Sequence, residues 1–261
     1  MKKQHNNINS YSMRAYPTII EFRFGVTDFH GETISDIVDD LLSSFKMNGL
    51  IANHDILYQE TNGEIVVFAY SSSSSLFTEK NYNKYILDRL ENLRDKILYF
   101  EIKEIGDVAP INLGELIDFY IVNVPYQFVC SPLFAINGES YYEVPLNSIP
   151  HTFDHSYYDI VTLESRTRAL LSLYFDSLLE KFVSEQLINP DSEFMRSAIN
   201  VCKNIELVTK KKTYFGVKEY VIMDYYDYNI SDYLNINQFK FVNNPPILYI
   251  SEMKKLIIVS D

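Results

Sequence analysis

Two cysteines and five histidines are all the chain offers for thiolate, imidazole or soft-metal chemistry: Cys130 and Cys202, and His5, His30, His54, His151 and His155. Cys130 stands in "FVCSPLF" (128–134), beside a hydroxyl and a proline. A thiol nucleophile reacts as the thiolate and needs a base within hydrogen-bond reach in an electropositive setting. His151 and His155 lie downstream and are the candidate bases, which makes an enzyme built on Cys130 one reading. Against it, Cys130 ends an apolar run and precedes Ser131-Pro132, a context that suits a buried thiol at a chain corner. Cys202 falls on the apolar face of an expected helix, where free cysteine packs as a small hydrophobe.

His151-x-x-Asp154-His155 has a spacing that would place both imidazoles on one face of a helix. A metal site needs further ligands and a second layer of hydrogen bonds. The flanking "SIPHTFDHS" reads instead as a proline-containing loop entering a helix, with Asp154 as its cap. Glu180 and Glu206 could act as paired carboxylates for acid–base work, or serve as ordinary helix-surface ion pairs. The eight glycines are scattered, with no GxGxxG or GKS/GKT phosphate loop. The expectation is no catalytic set, no metal and no cofactor.

Charge is more informative. Thirty-five acids against 23 bases give a formal net charge of −12. A general phosphate-backbone binder gains affinity through Lys and Arg, so this balance argues against nucleic acid and for a basic protein partner. The surface candidate is "DYYDYNISDYL" (224–234), where Asp224, Asp227 and Asp232 alternate with Tyr225, Tyr226 and Tyr228. Tyrosine supplies rigid contact area and the carboxylates complement Arg or Lys. Glu32, Asp36, Asp39 and Asp40 add an acidic face on an expected helix. Either stretch could instead be a solvated face.

These residues need elements to hold them. "YPTIIEFRFGV" (16–26) has strand character. "GETISDIVDDLLSSFKMNGL" (31–50) repeats Ile34, Ile37, Val38, Leu41, Leu42 and Phe45 at helical spacing and ends near Gly49. "DILYQE" (55–60) and "EIVVFAY" (64–70) flank Asn62-Gly63, a hairpin signal. Five serines, 71–75, read as a flexible loop. A helix over about 78–95, with Tyr82, Ile86, Leu90 and Leu93 inward, leads into a strand at 97–106. Strand–helix–strand–strand–helix–strand is the ferredoxin-like order. Beyond it come a β segment at 116–130, a short strand at 140–146 and one long helix over 163–187 with Leu171, Tyr174, Leu178 and Phe182 as its seam. A second helix, capped by Asp191 or Ser192, runs to about Thr209 with Met195, Ala198, Cys202 and Ile205 inward. Residues 213–223 and 245–260 return to β. The fold class is α+β: a frayed 1–15, a ferredoxin-like unit over 16–110 and a mixed helical and β part over 111–261.

"EFRF" (21–24), "CSPL" (130–133), "LLE" (178–180), "VCKNIE" (201–206) and "TYFGVKEY" (213–220), in this order, resemble a bacterial zinc-ribbon-containing family of unknown function for which nucleic-acid binding has been suggested. The resemblance implies a short zinc ribbon closing the chain. A ribbon holds Zn²⁺ in two Cys-x-x-Cys knuckles, yet residues 224–261 contain neither cysteine nor histidine. The ribbon is thus expected to be degenerate and metal-free.

Two cysteines and no charged-then-apolar leader fit a bacterial cytoplasmic protein, and no apolar run is long enough to span a bilayer. The leading expectation is an acidic protein-binding antagonist, an immunity protein that neutralises a basic toxin such as a nuclease. The alternatives are a nucleic-acid-associated protein, as suggested for the ribbon family, and the Cys130 enzyme with His151 or His155.

Overall fold

The computed structural model describes residues 15–26, 32–53, 57–61, 63–105, 117–124, 131–137, 140–189, 191–218, 220–221, 224, 239–242, 247–250 and 256–259. The chain is α+β, with two sheets and the helices packed against them.

The first half is β1 (Thr18–Val26), α1 (Glu32–Met47), β2 (Leu57–Thr61), β3 (Glu64–Ser71), α2 (Lys84–Arg94) and β4 (Ile97–Ile105). Its strands lie in the order β2-β3-β1-β4, with every pairing antiparallel. The element order is the one expected from periodicity. Alternation along β1 sends Ile20, Phe22 and Phe24 inward, and α1 covers them with Val38, Leu41, Leu42 and Phe45. Phe22 joins an aromatic cluster with Phe45, Phe77 and Phe100, its ring centroids 5.3 to 6.3 Å from theirs, a spacing that adds about 0.5–1.5 kcal/mol per pair beyond burial. Gly25 lies under the Tyr99 ring, where a Cβ would sit only 2.3 Å from a ring carbon. The hairpin between β2 and β3 forms at the expected place, with Gly63 at φ +86°.

Two expectations in this half need correction. The serine stretch is built into the structure: the Ser71 hydroxyl donates to the Leu50 carbonyl at 2.7 Å, and Ser73 caps a single 3-10 turn over Ser74–Leu76. The second helix begins at Lys84 rather than near residue 78, because the Asn83 side-chain oxygen accepts from the Ile86 amide at 3.0 Å and fixes the start there. A further 3-10 turn (Glu79–Asn81) precedes it.

The second half carries β5 (Phe119–Val122), β6 (Leu133–Asn137), β7 (Ser140–Glu143), α3 (Tyr158–Asp176), α4 (Glu180–Ile188), α5 (Glu193–Thr209) and β8 (Lys212–Lys218). Three more strands follow, β9 (Phe239–Val242), β10 (Ile247–Ile250) and β11 (Leu256–Val259). The sheet order is β7-β6-β5-β8-β11-β10-β9. The stretch expected as a ribbon therefore contributes strands to this sheet, with β11 parallel to β8, rather than a separate small module. Cys202, Met195, Ala198 and Ile205 are buried along α5, as their spacing requires, and Ser192 supplies the cap by accepting from the Met195 amide at 3.0 Å.

The single helix expected over 163–187 is two. Leu178 has φ +53°, and the amides of Ser177 and Leu179 both turn back to the Leu173 carbonyl, ending α3. Leu171 and Tyr174 are buried, but Leu178 is 78% and Phe182 51% exposed. Turning the chain here lets α4 bury Val183, Leu187 and Ile188. Among the described residues no helix is long and apolar enough to cross a membrane.

Candidate functional site

The two halves meet along a seam that begins at the C-terminus of α1. Gly49 has φ +69°, and a Cβ there would press on Leu146 and the Tyr157 ring at 3.0 Å, so the turn admits only glycine without strain. The Tyr157 amide donates to the Met47 carbonyl at 2.7 Å. Asn48, almost fully buried, donates to the Asn81 carbonyl at 2.8 Å and accepts from the side-chain amide of Asn83 at 3.2 Å. The Asn83 side-chain amide also donates to the His155 carbonyl at 3.0 Å. One side chain thus caps α2, holds α1 and grips the 153–156 turn of the other half. Ala15, at the end of the stretch expected to fray, is buried and donates its amide to Glu143 at 2.9 Å.

Behind the seam sits Glu164, 1% exposed on α3. Arg168, one turn on, meets it at 2.9 Å, and Asn53 from the first half donates to it at 3.2 Å. Burial outweighs the Arg168 charge and pushes the Glu164 carboxyl up to about 7. Sequence reading passed over this residue. Its one signal was the i,i+4 pairing of Glu with Arg inside an apolar helical face.

Residues 150–157 form a loop entering α3, as their sequence suggests, but the role expected of Asp154 does not hold. His151 and His155 are not on a helix. Phe153 and Ser156 form an isolated antiparallel bridge, and Asp154 and His155 between them have φ +30° and +59°. Asp154 does not cap α3. Its carboxylate accepts from the Tyr85 hydroxyl at 2.6 Å and lies 3.6 Å from the Lys84 ammonium, and these two contacts hold its pKa below the usual range. Asp159 takes the helix-entry role, accepting from the Ile160 amide at 2.9 Å and from Thr152 at 2.5 Å.

Two concavities flank this turn. On one side a cleft of about 620 Å³ opens between the halves, walled by Lys80, Lys84, His151, His155 and Tyr157 over an apolar floor that includes Leu50 and Ile149. The His151 ring lies 4.8 Å from that of Tyr157, and burial there, with His155 nearby, lowers its pKa. On the other side a groove of about 320 Å³ carries Asp40, Tyr85, Arg89, Phe153, Asp154 and Tyr158. Tyr85, Phe153 and Tyr158 are exposed by 42%, 50% and 50%. Arg89 bridges to Asp40 at 3.2 Å. None of these three aromatics was singled out from sequence, although Phe153 and Tyr158 bracket the Asp-His pair in "TFDHSYYD".

Of the acids expected at a partner surface, Asp36, Asp39 and Asp40 lie exposed along α1, which Glu32 opens. Asp39 accepts from the Tyr58 hydroxyl, and burial with Asp36 beside it raises its pKa. Asp224 is half-buried and accepts from the Tyr174 hydroxyl of α3. Tyr225, Tyr226, Asp227, Tyr228 and Asp232 lie outside the described residues, as does Cys130. Glu206 receives the Thr213 amide at 3.0 Å and ties α5 to β8, while Glu180 opens α4. Among the described residues no three His, Cys, Asp or Glu side chains gather as a metal-binding set.

Residues 115–217, from just before β5 through most of β8, match the model of a domain of unknown function, DUF2310. No curated protein and no solved structure matches the chain. The matched stretch contributes the 153–156 turn, α3 and Glu164 to the seam, whereas α1 and α2 lie outside it.

Proposed function

We propose that this chain is a protein-binding antagonist, an immunity protein that neutralises a basic toxin by direct contact, and that the groove beside Asp154 receives a basic segment of that toxin. The observation that carries the reading is the pairing of three exposed aromatics, Tyr85, Phe153 and Tyr158, with the carboxylates of Asp40 and Asp154 in one concave surface. Aromatic side chains give rigid contact area, and desolvated carboxylates select Lys or Arg. Asp36 and Asp39 continue the negative field along α1 and would speed encounter more than they would hold the complex.

The test pairs this protein with a candidate basic toxin domain, in growth rescue and in calorimetry at low and raised salt. Phe153→Ala with Tyr158→Ala should weaken binding by about 2 kcal/mol or more if these rings are anchors. Asp36→Asn with Asp39→Asn should slow association and reduce its salt dependence. Full rescue by the double aromatic variant, or salt-sensitive binding to DNA or RNA in place of a protein, would overturn the proposal.

A further inference from the structure

The larger cleft, on the far side of the turn, has the opposite character. The chain carries 35 acids against 23 bases, yet among the described residues no acid lines this cavity, while Lys80, Lys84, His151 and His155 all do. We infer that this cleft is a binding site for a small phosphorylated ligand, held by Lys80 and the two imidazoles.

Three features support the assignment. The first is electrostatic. Lys80 is exposed and makes no ion pair among the described residues, so its ammonium is available. Lys84 is anchored from behind, 3.6 Å from Asp154 and 4.8 Å from the centre of the Tyr85 ring. It contributes a fixed positive charge at the rim.

The second feature is the backbone. Helix α2 is 11 residues long and starts at Lys84, and both Asn83 and Lys84 line the cleft. The positive end of its dipole therefore lies at the same wall as the two ammonium groups. Asn83 already satisfies the Ile86 amide, so this end adds field rather than a ready set of donors.

The third is size and wall chemistry. At about 620 Å³ the cleft falls within the roughly 300–1,000 Å³ usual for small-ligand pockets. Leu50, Leu76 and Ile149 offer an apolar floor for an organic body, with the charged groups at the wall for its phosphate. A nucleic-acid track would need basic side chains continuing along a surface to meet successive phosphates. Here they converge on one cavity.

The experiment uses phenyl phosphate as the probe, with inorganic phosphate and phenol as its charged and neutral halves, followed by calorimetry and by backbone amide shifts in NMR. Phenyl phosphate should bind more tightly than either half, with shifts at Asn81, Asn83 and His155. Lys80→Gln with His155→Asn should weaken it at least roughly tenfold. Asparagine is chosen at 155 because it tolerates the left-handed backbone there. Lys203→Gln, exposed on α5, should leave the affinity unchanged. No binding at ~10 mM phenyl phosphate, or binding indifferent to Lys80 and His155, would overturn the assignment. So would an RNA oligonucleotide binding in its place and lost in the same variants, because it would make the site a polymer contact.

Discussion

The groove and the cleft flank the same turn, yet they differ in the charges that line them. Asp154 faces the groove and His155 the cleft, and both have positive φ, a backbone state that costs an L-residue roughly 1–2 kcal/mol. In an extended strand successive side chains also alternate, but a strand would have to continue. In a helix the two would point about 100° apart and share a flank. A left-handed pair closed by the Phe153–Ser156 bridge reverses the chain and sends a carboxylate and an imidazole to opposite sides within one turn. The strain is held from outside, by Tyr85 on Asp154 and by Asn83 on the His155 carbonyl. Both holding residues come from the first half of the chain, so the contrast between the two concavities exists only while the halves stay docked.

The largest way to break the contrast is to pry the halves apart. Gly49→Ala must place a Cβ at 3.0 Å from Leu146 and Tyr157 in a left-handed backbone. Left-handed strain and overpacking together predict a loss of roughly 2–4 kcal/mol, read in urea unfolding, with both binding activities weakened together. A variant of native stability would show that the seam has slack at α1.

Glu164 tests the same docking through pH. Its folded-state pKa is raised from the ordinary 4.5 to about 7 by burial. A raised carboxyl binds its proton more tightly when folded, so its stabilisation is complete below about 4.5 and is lost as pH rises through about 7. The swing is on the order of 3 kcal/mol at most. Wild type should thus lose stability between pH 5 and pH 7.5 relative to Glu164→Gln, whose uncharged amide stays neutral throughout. Parallel pH profiles for the two proteins would mean that Arg168 and Asn53 fully compensate the buried charge.

Next comes Asn83→Ala, which removes the α2 cap and leaves the buried Asn48 oxygen and the His155 carbonyl without a donor. Lost capping and unsatisfied acceptors predict about 2 kcal/mol. Because Asn83 touches both concavities, phenyl phosphate and partner affinity should fall in step. Loss of one alone would show that the two sides are held independently.

What the sequence disclosed follows from periodicity. The apolar spacing of α1, the inward face of α5 and the Asn-Gly hairpin are local signals, and each lies where it was expected. The seam is not local. Asn83 reads as one more polar residue before a helix, and nothing in "NYNKY" shows that its amide spans to residues 48 and 155. The expectation of one long helix failed at Leu178 for a related reason: its spacing fits one straight seam, but the chain turns there and packs α4 through Val183, Leu187 and Ile188, a tertiary choice that local spacing does not encode. The histidine pair lies in the loop that its proline-containing context suggests, but Asp154 is not the helix cap expected there, because two consecutive left-handed residues are not a pattern that side-chain type announces outside glycine and asparagine.

The smallest effect gives the sharpest comparison. Asp154→Asn keeps the shape of the side chain and can still accept from Tyr85, but it removes the charge facing Lys84. Asp154 is exposed, so solvent screens this pair and the melting temperature should hardly move. The two binding activities should separate instead. On the groove side a carboxylate is gone, and a basic partner should bind more weakly, most visibly at low salt. On the cleft side Lys84 loses its counter-charge, and phenyl phosphate should bind slightly more tightly. Opposite shifts from one neutral substitution would show that the turn separates two fields of opposite sign. Shifts in the same direction would mean that Asp154 acts through the backbone geometry that both sides share, and the groove and cleft would then have to be treated as one site.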